Sequence, residues 1–236
     1  MRNRNTLAVV IPVGPNLHDA DWLGECVESV LSQTRKPDKL VVVMDKAEIT
    51  LLHPTLLPAY ESGLDVVVWE SPWYLGVAHA FNFGVAVGDC MLSFLLGADD
   101  VLLPRCLELC EQAYWREPQK DRDLSYYWVG VRYMDGETPD QFMPCNAAMV
   151  PRELWDRTRG FPIESALGKP DSAFVSGLVV HGKSKGMGLV TVDGTQPLYL
   201  YRQHPDTESN RRRGLWHPVA DAMVNTYLLD WEGRIT

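Results

Sequence analysis

"FLLGADDVLLP", residues 94–104, carries an apolar run to Gly97 and then sets Asp99 and Asp100 side by side before turning apolar again. Adjacent carboxylates repel, and a strand end leaves them partly desolvated, so the pairing needs a cause. A bound cation is one cause. Capping of the helix that follows near Pro104 is another.

The flanks of this stretch set the fold. "CMLSFLL" (90–96) leads into it as a strand, and "PRCLELCEQAYW" (104–115) leaves it as a helix. Upstream, "TLAVVIPV" (6–13), "KLVVVMD" (39–45) and "LDVVVWE" (64–70) are continuous β-branched runs, the mark of strands buried on both faces. "DADWLGECVESVLSQT" (19–34) spaces Trp22, Leu23, Cys26, Val27, Val30 and Leu31 as one helix face, with Asp19 or Asp21 as its cap. "GVAHAFNFGVAVG" (76–88) reads as a helix despite its glycines. Strand and helix thus alternate through the first hundred residues, which predicts an α/β fold with helices on both faces of a parallel sheet.

The second half is less regular. "LSYYWVGVRYM" (124–134), "QFMPCNAAMVP" (141–151), "GLVTVD" (188–193) and "QPLYLYRQH" (196–204) read as strands. "RELWDRT" (152–158), "PDSAFVSGLVVHGKSKG" (170–186) and "HPVADAMVNTYLLDW" (217–231) read as helices, with a polar, basic loop over 204–214. No repeat or linker divides the chain, so one domain over 1–236 is expected, in two halves, 1–103 and 104–236.

Composition narrows the function. The 236 residues are 46% hydrophobic and 22% charged, enough for one substantial core. A net charge of −9 repels a phosphate backbone and argues against general nucleic-acid binding. Five scattered cysteines, Cys26, Cys90, Cys106, Cys110 and Cys145, read as reduced core residues, which fits a cytoplasmic setting. The N-terminal apolar run is too short for a signal peptide, and no stretch is long enough to span a membrane.

In an open parallel sheet, ligands bind beyond the carboxyl ends of the strands. Pro12-Val13-Gly14, Asp45, Glu70 and Gly97–Asp100 fall there. No G-x-G-x-x-G opens the first helix and no phosphate-cradling G-x-x-x-x-G-K-[ST] occurs, which disfavours dinucleotide and P-loop chemistry.

Four segments then share one likeness. "VVIPVGPN" with "LGECVESVLSQTRKPDKLVVVMD", "LGVAHAFNFGVAVGDCMLSFLLGADDVLLP", "CNAAMVPRELWDRTRGFP" and "PLYLYRQHPDTES" resemble, in order, the blocks of family 2 glycosyltransferases. The resemblance implies the GT-A fold: a mostly parallel central sheet flanked by helices, with a smaller acceptor-side sheet. Residues 1–103 would then hold the nucleotide sugar, and 104–236 the acceptor. It also implies transfer from a UDP- or GDP-sugar with inversion, assisted by Mn2+ or Mg2+.

Residue by residue, the likeness assigns Asp99 and His204 as metal ligands, and Asp171 as the base of an acidic pair that here reads Pro170-Asp171. Asp45 falls where relatives read the donor base, and Pro12 and Val13 line base and ribose through their backbones. Gly76 and Asn82 match the segment beside the diphosphate. The usual arginine there is Phe81, so Arg202, or Arg211, Arg212 and Arg213, would supply the missing cation. Gly97 stands where many relatives carry an acid. Glu164 is the substitute base, and Trp216 and His217 are candidates to close over the sugar.

The acceptor class stays open between a glycan, a protein and a small molecule. The C-terminal helix fits packing either on its own core or on a second copy in a homo-oligomer. Two other readings compete. Gly97, Phe81 and Pro170 favour a catalytically silent GT-A domain that binds a nucleotide or a protein. A nucleotidyltransferase needs a Gly-rich N-terminal loop with a following Arg and Lys, which "PVGPNLHDAD" lacks.

Overall fold

The computed structural model describes residues 6–15, 17–47, 49–143, 145–163 and 170–204. Eight strands form one sheet in the order β3-β2-β1-β4-β7-β6-β8-β5. They are β1 (Leu7–Val13), β2 (Lys39–Asp45), β3 (Asp65–Ser71), β4 (Leu92–Leu95), β5 (Val101–Leu102), β6 (Ser125–Tyr133), β7 (Ala148–Pro151) and β8 (Gly188–Tyr201). The first four are mutually parallel; β7 joins β4 antiparallel and carries the second half into the same sheet. The mixed α/β class expected from the sequence is what the chain adopts, with the strands of the second half extending the central sheet as its far half.

Strand alternation divides the core into two layers. Leu7, Val9, Ile11 and Val13 of β1 face α1 (Leu17–Leu31), α2 (Ile49–Glu61) and α4 (Cys106–Arg116). Ala8 and Val10 face α3 (Val77–Gly88), α6 (Arg152–Thr158) and α7 (Pro170–Val180). One short helix, α5 (Gln119–Arg122), precedes β6. The period of two along a pleated strand is what feeds both layers from one run of apolar residues.

Two local features explain why the chain tolerates apparent breakers. Pro12 lies in a central strand, yet Val10 accepts the last bond from the β4 side, from Leu96 N–H. Residue 12 faces the same way as residue 10, so its missing donor points where the ladder has already ended. In α3, a Cβ on Gly84 would lie 2.3 Å from Val10 Cγ1, and one on Gly88 3.3 Å from Val41 Cγ2. These glycines let the helix approach the sheet closely, which is why they interrupt an otherwise helical pattern.

Several expectations shift in detail. α2 was not legible, because Pro54 and Pro58 sit inside it. Both prolines are exposed, so their rings face away from the core, while Leu56 and Ala59 anchor the helix to it. The strand read over 141–151 forms only at Ala148–Pro151, preceded by an isolated bridge between Val131 and Gln141. The two segments read over 188–204 are one strand, β8, whose register against β6 jumps from Val192 to Pro197. Asp193, at φ 45°, turns the chain within that bulge. Glu164, the basic loop, Arg211–Arg213, Trp216, His217 and the helix read at 217–231 lie outside the described residues.

Candidate functional site

β1, β2 and β3 wind outward in one direction, and the chain then returns to place β4 on the other side of β1. The crevice between the carboxyl ends of β1 and β4 is therefore the topological switch point, where this class of sheet accepts ligands. Pro12 and Val13 end β1 at its edge, and Leu96–Asp100 leave β4 at the other.

Asp99 and Asp100 separate at once. Asp100 is 2% exposed, and each of its oxygens is used: Oδ2 accepts from the Tyr199 hydroxyl at 2.5 Å, and Oδ1 from Arg202 N–H at 2.8 Å. Burial, then the charge of Asp99, raises its carboxyl well above the ordinary range, against the hydrogen bonds that lower it. Tyr199 also accepts from Gly97 N–H at 3.0 Å, so one phenol ties the loop to β8 at two points. Neither aspartate caps α4, whose first turn starts from Arg105 with no side-chain cap. That removes capping as the reason for the pair.

Asp99 faces outward. Its Oδ2 lies 3.2 Å from Nε2 of His204, with side chains 23% and 10% exposed. Two ligands at right angles on a cation with bonds of about 2.1 Å stand about 3.0 Å apart, so this pair has the spacing of neighbouring positions on one ion. Carboxylate plus imidazole suits Mn2+ better than Mg2+. Among the described residues no group of three or more His, Cys, Asp or Glu that could hold a metal ion is found, and Asp99 and His204 meet as a pair.

Gly97 follows from the same geometry. A Cβ there would lie 2.5 Å from Asp100 Oδ2 and 3.1 Å from Asp99 Oδ1. An acid at position 97 has no room while Asp100 is turned inward. Phe81 is likewise explained by packing: it is 1% exposed and meets Phe161 edge-on at 5.8 Å, and Phe161 in turn meets Trp155 and Phe174. The position expected to hold a cation faces an aromatic cluster between α3, α6 and α7.

Arg202 directs its guanidinium inward. Nε donates to the Asp99 carbonyl at 2.9 Å, Nη2 meets Glu25 at 2.5 Å, and the plane lies over Trp22 at 5.0 Å. Asp45, 3% exposed, accepts from Leu75 N–H at 2.5 Å and Gly76 N–H at 2.8 Å, which fixes the loop entering α3. Burial raises its carboxyl despite those two bonds. Gly76, at φ 83°, is the N-cap of α3 and needs its lack of a Cβ for that turn. Asn82 makes a reciprocal pair with the Phe161 backbone, donating at 2.8 Å and accepting at 2.8 Å. It staples α3 to the turn after α6, where Gly160 leaves no room for a side chain.

Asp171 lies in the first turn of α7, half-buried. Its charge raises both Tyr126 and Cys145, and Asp100 also acts on Cys145. Burial comes first among the causes and pushes the Cys145 thiol up to about 12. Sequence reading singled out neither Tyr199 nor Trp22 nor Glu25 for the site. Tyr199 and Trp22 sat within apolar or helical patterns that gave packing as a sufficient reason, and Glu25 lay on an exposed helix face.

The comparisons agree with this architecture. The sequence profile described as glycosyl transferase family 2 matches residues 9–135, more than half the chain. An uncharacterized glycosyltransferase of Methanocaldococcus jannaschii is 25% identical over 123 residues, 52% of this chain and 42% of that protein. The match therefore spans less than half of that relative. S. aureus TarS 1–349 in complex with UDP-GlcNAc superposes with a TM-score of 0.71 at 13% identity, over 97% of this chain and 68% of that one. The mannosyltransferase PcManGT of Pyrobaculum calidifontis, in complex with GDP-Man and Mn2+, gives 0.63 at 16% identity, over 97% and 70%. At such identities the structural likeness speaks to the fold. No described helix is long and apolar enough to cross a membrane.

Proposed function

The chain belongs to glycosyl transferase family 2, and from that premise we propose that it moves a sugar from a nucleotide-diphosphate sugar to a hydroxyl acceptor, with inversion and with a divalent cation. The observation that carries this reading is the Asp99–His204 pair at 3.2 Å beside the switch point of the sheet. A cation held there supplies charge neutralisation for the diphosphate as it leaves. The nucleotide-sugar complexes of the structural neighbours support the donor class, and the Mn2+ of one supports the metal.

The chain's own residues divide the remaining work. Val13 and the Pro12 backbone border the crevice for base and ribose. Asp45 and Gly76 hold the loop that forms its far wall. Asp171 takes the proton from the acceptor hydroxyl, whose oxygen attacks the anomeric carbon as the bond to the diphosphate breaks. Residues 1–103 serve the donor and the remainder the acceptor, which is a glycan, a protein or a small metabolite.

Of Gly97, Phe81 and Pro170, the departures that favour a silent domain, the first two have packing reasons that leave Asp99 and His204 untouched, and Pro170 opens α7 directly before Asp171. Turnover decides between the readings. Release of UDP or GDP from a panel of nucleotide sugars is expected with Mn2+, falling by roughly a hundredfold or more in Asp171→Asn. Nucleotide binding without turnover of any donor, in wild type and variant alike, would instead make this a silent binding domain.

A further inference from the structure

β8 ends at Tyr201, three residues before His204, so the sheet ladder does not fix the imidazole. α1 does. One stripe of that helix runs along the acidic loop: Cys26 Sγ donates to the Gly97 carbonyl at 3.4 Å, and Ser29 Oγ accepts from Leu102 N–H at 3.1 Å. One turn earlier, the Trp22 ring lies 4.3 Å from the His204 ring, with 55° between the planes. Trp22 also meets the Arg202 guanidinium, 5.0 Å from the ring centroid. Glu25 holds that guanidinium at 2.5 Å, and its Nε bonds the Asp99 carbonyl at 2.9 Å. A single indole thus backs the imidazole on one side of the half-site and the cation that pins the carboxylate residue on the other.

We propose that Trp22, with Glu25 acting through Arg202, positions His204 and Asp99 as a preformed half-site for a divalent cation. This rests on the metal-assisted reading above. The physical reason is preorganisation: two side chains already held 3.2 Å apart lose little rotamer freedom when they ligate. Arg202 then serves as the link between helix and acidic loop, which accounts for a guanidinium aimed away from the crevice. Trp22 acts through His204 and Arg202, and Glu25 through Arg202; both are positioning residues.

The test is a Mn2+ titration followed by electron paramagnetic resonance, with UDP or GDP present, on the whole chain. Trp22→Ala is expected to weaken Mn2+ binding by about 10–100-fold, the usual effect of removing a partner behind a metal ligand. Trp22→Phe keeps an aromatic platform and is expected to restore most of it. Glu25→Gln, on a side chain 62% exposed, is expected to weaken it by about threefold. Nucleotide affinity without Mn2+ stays unchanged in all three. Equal Mn2+ affinity in Trp22→Ala and wild type overturns the proposal, as does equal weakening by Phe and Ala. A metal-free readout separates the two levels: the ring-current shift of the His204 imidazole, present in wild type and lost in Trp22→Ala. Wild type that shows this shift yet binds no Mn2+ refutes the metal reading; Mn2+ binding without the shift refutes the platform.

Discussion

Asp45 and Asp99 both follow parallel strands at the same edge of the sheet, yet they have opposite fates. Asp45 is 3% exposed and spends one oxygen on each of two backbone N–H groups. Asp99 turns to an imidazole, and its neighbour Asp100 absorbs the backbone duty of that loop. A carboxylate at a strand end is therefore a scaffold where backbone N–H groups converge on it, and stays open to a side-chain partner where a neighbouring acid has taken the backbone donor. Hydrogen-bond accounting separates the two roles; position on the strand does not.

The comparison breaks most readily at Gly97. Restoring the acid carried there by many relatives, as Gly97→Asp, would drive its Cβ into the Asp100 carboxylate at 2.5 Å. A loss of roughly 2–3 kcal/mol in chemical denaturation is expected, from overpacking beside a like charge. The pairing with Asp100→Ala is expected to cost less than the sum of the two singles. A Gly97→Asp variant as stable as wild type would mean that Asp100 is free to turn outward, and the division of labour would collapse.

Asp45→Asn sharpens the other side. One amide oxygen cannot serve both N–H groups, so about 1–2 kcal/mol is expected to be lost near pH 4, where the contribution of Asp45 is still full. The pH dependence has a definite sign. Burial raises the folded carboxyl above its unfolded value, so the native state holds the proton more tightly. Asp45 thus contributes stability that is full below the unfolded value near 4 and is lost as pH rises through the folded one. The denaturation midpoint of wild type relative to Asp45→Asn should decline across that window. A difference that grows with pH there would reverse the assignment.

The strands of the first hundred residues were legible because runs such as Leu40–Met44 are buried on both faces and leave one reading. Legibility failed where two signals competed. Pro54 and Pro58 outvoted an apolar helix face, and the bulge at 193–196 split one strand into two. Within the site, the resemblance assigned Asp99 and His204 to one cation, and the fold brings the two side chains into contact across 105 positions of sequence. They could not say which way a side chain turns. Asn82 and Arg202 matched ligand-side motifs, while the folded chain directs Asn82 to the Phe161 backbone and Arg202 to Glu25 and Asp99. Trp22 looked like one more core residue, because a helix face gives the same spacing whether it meets a sheet or backs an imidazole.

The measurement closest to the central claim is the thermal shift produced by UDP and GDP, with and without Mn2+, in wild type and Asp99→Asn. Linkage turns state-specific binding into a rise in melting temperature. The account predicts a nucleotide shift that grows with Mn2+ in wild type, and in Asp99→Asn a nearly unchanged ligand-free melting temperature with the Mn2+ increment gone. An Mn2+ increment that survives in Asp99→Asn would contradict it and move the cation away from the Asp99–His204 pair.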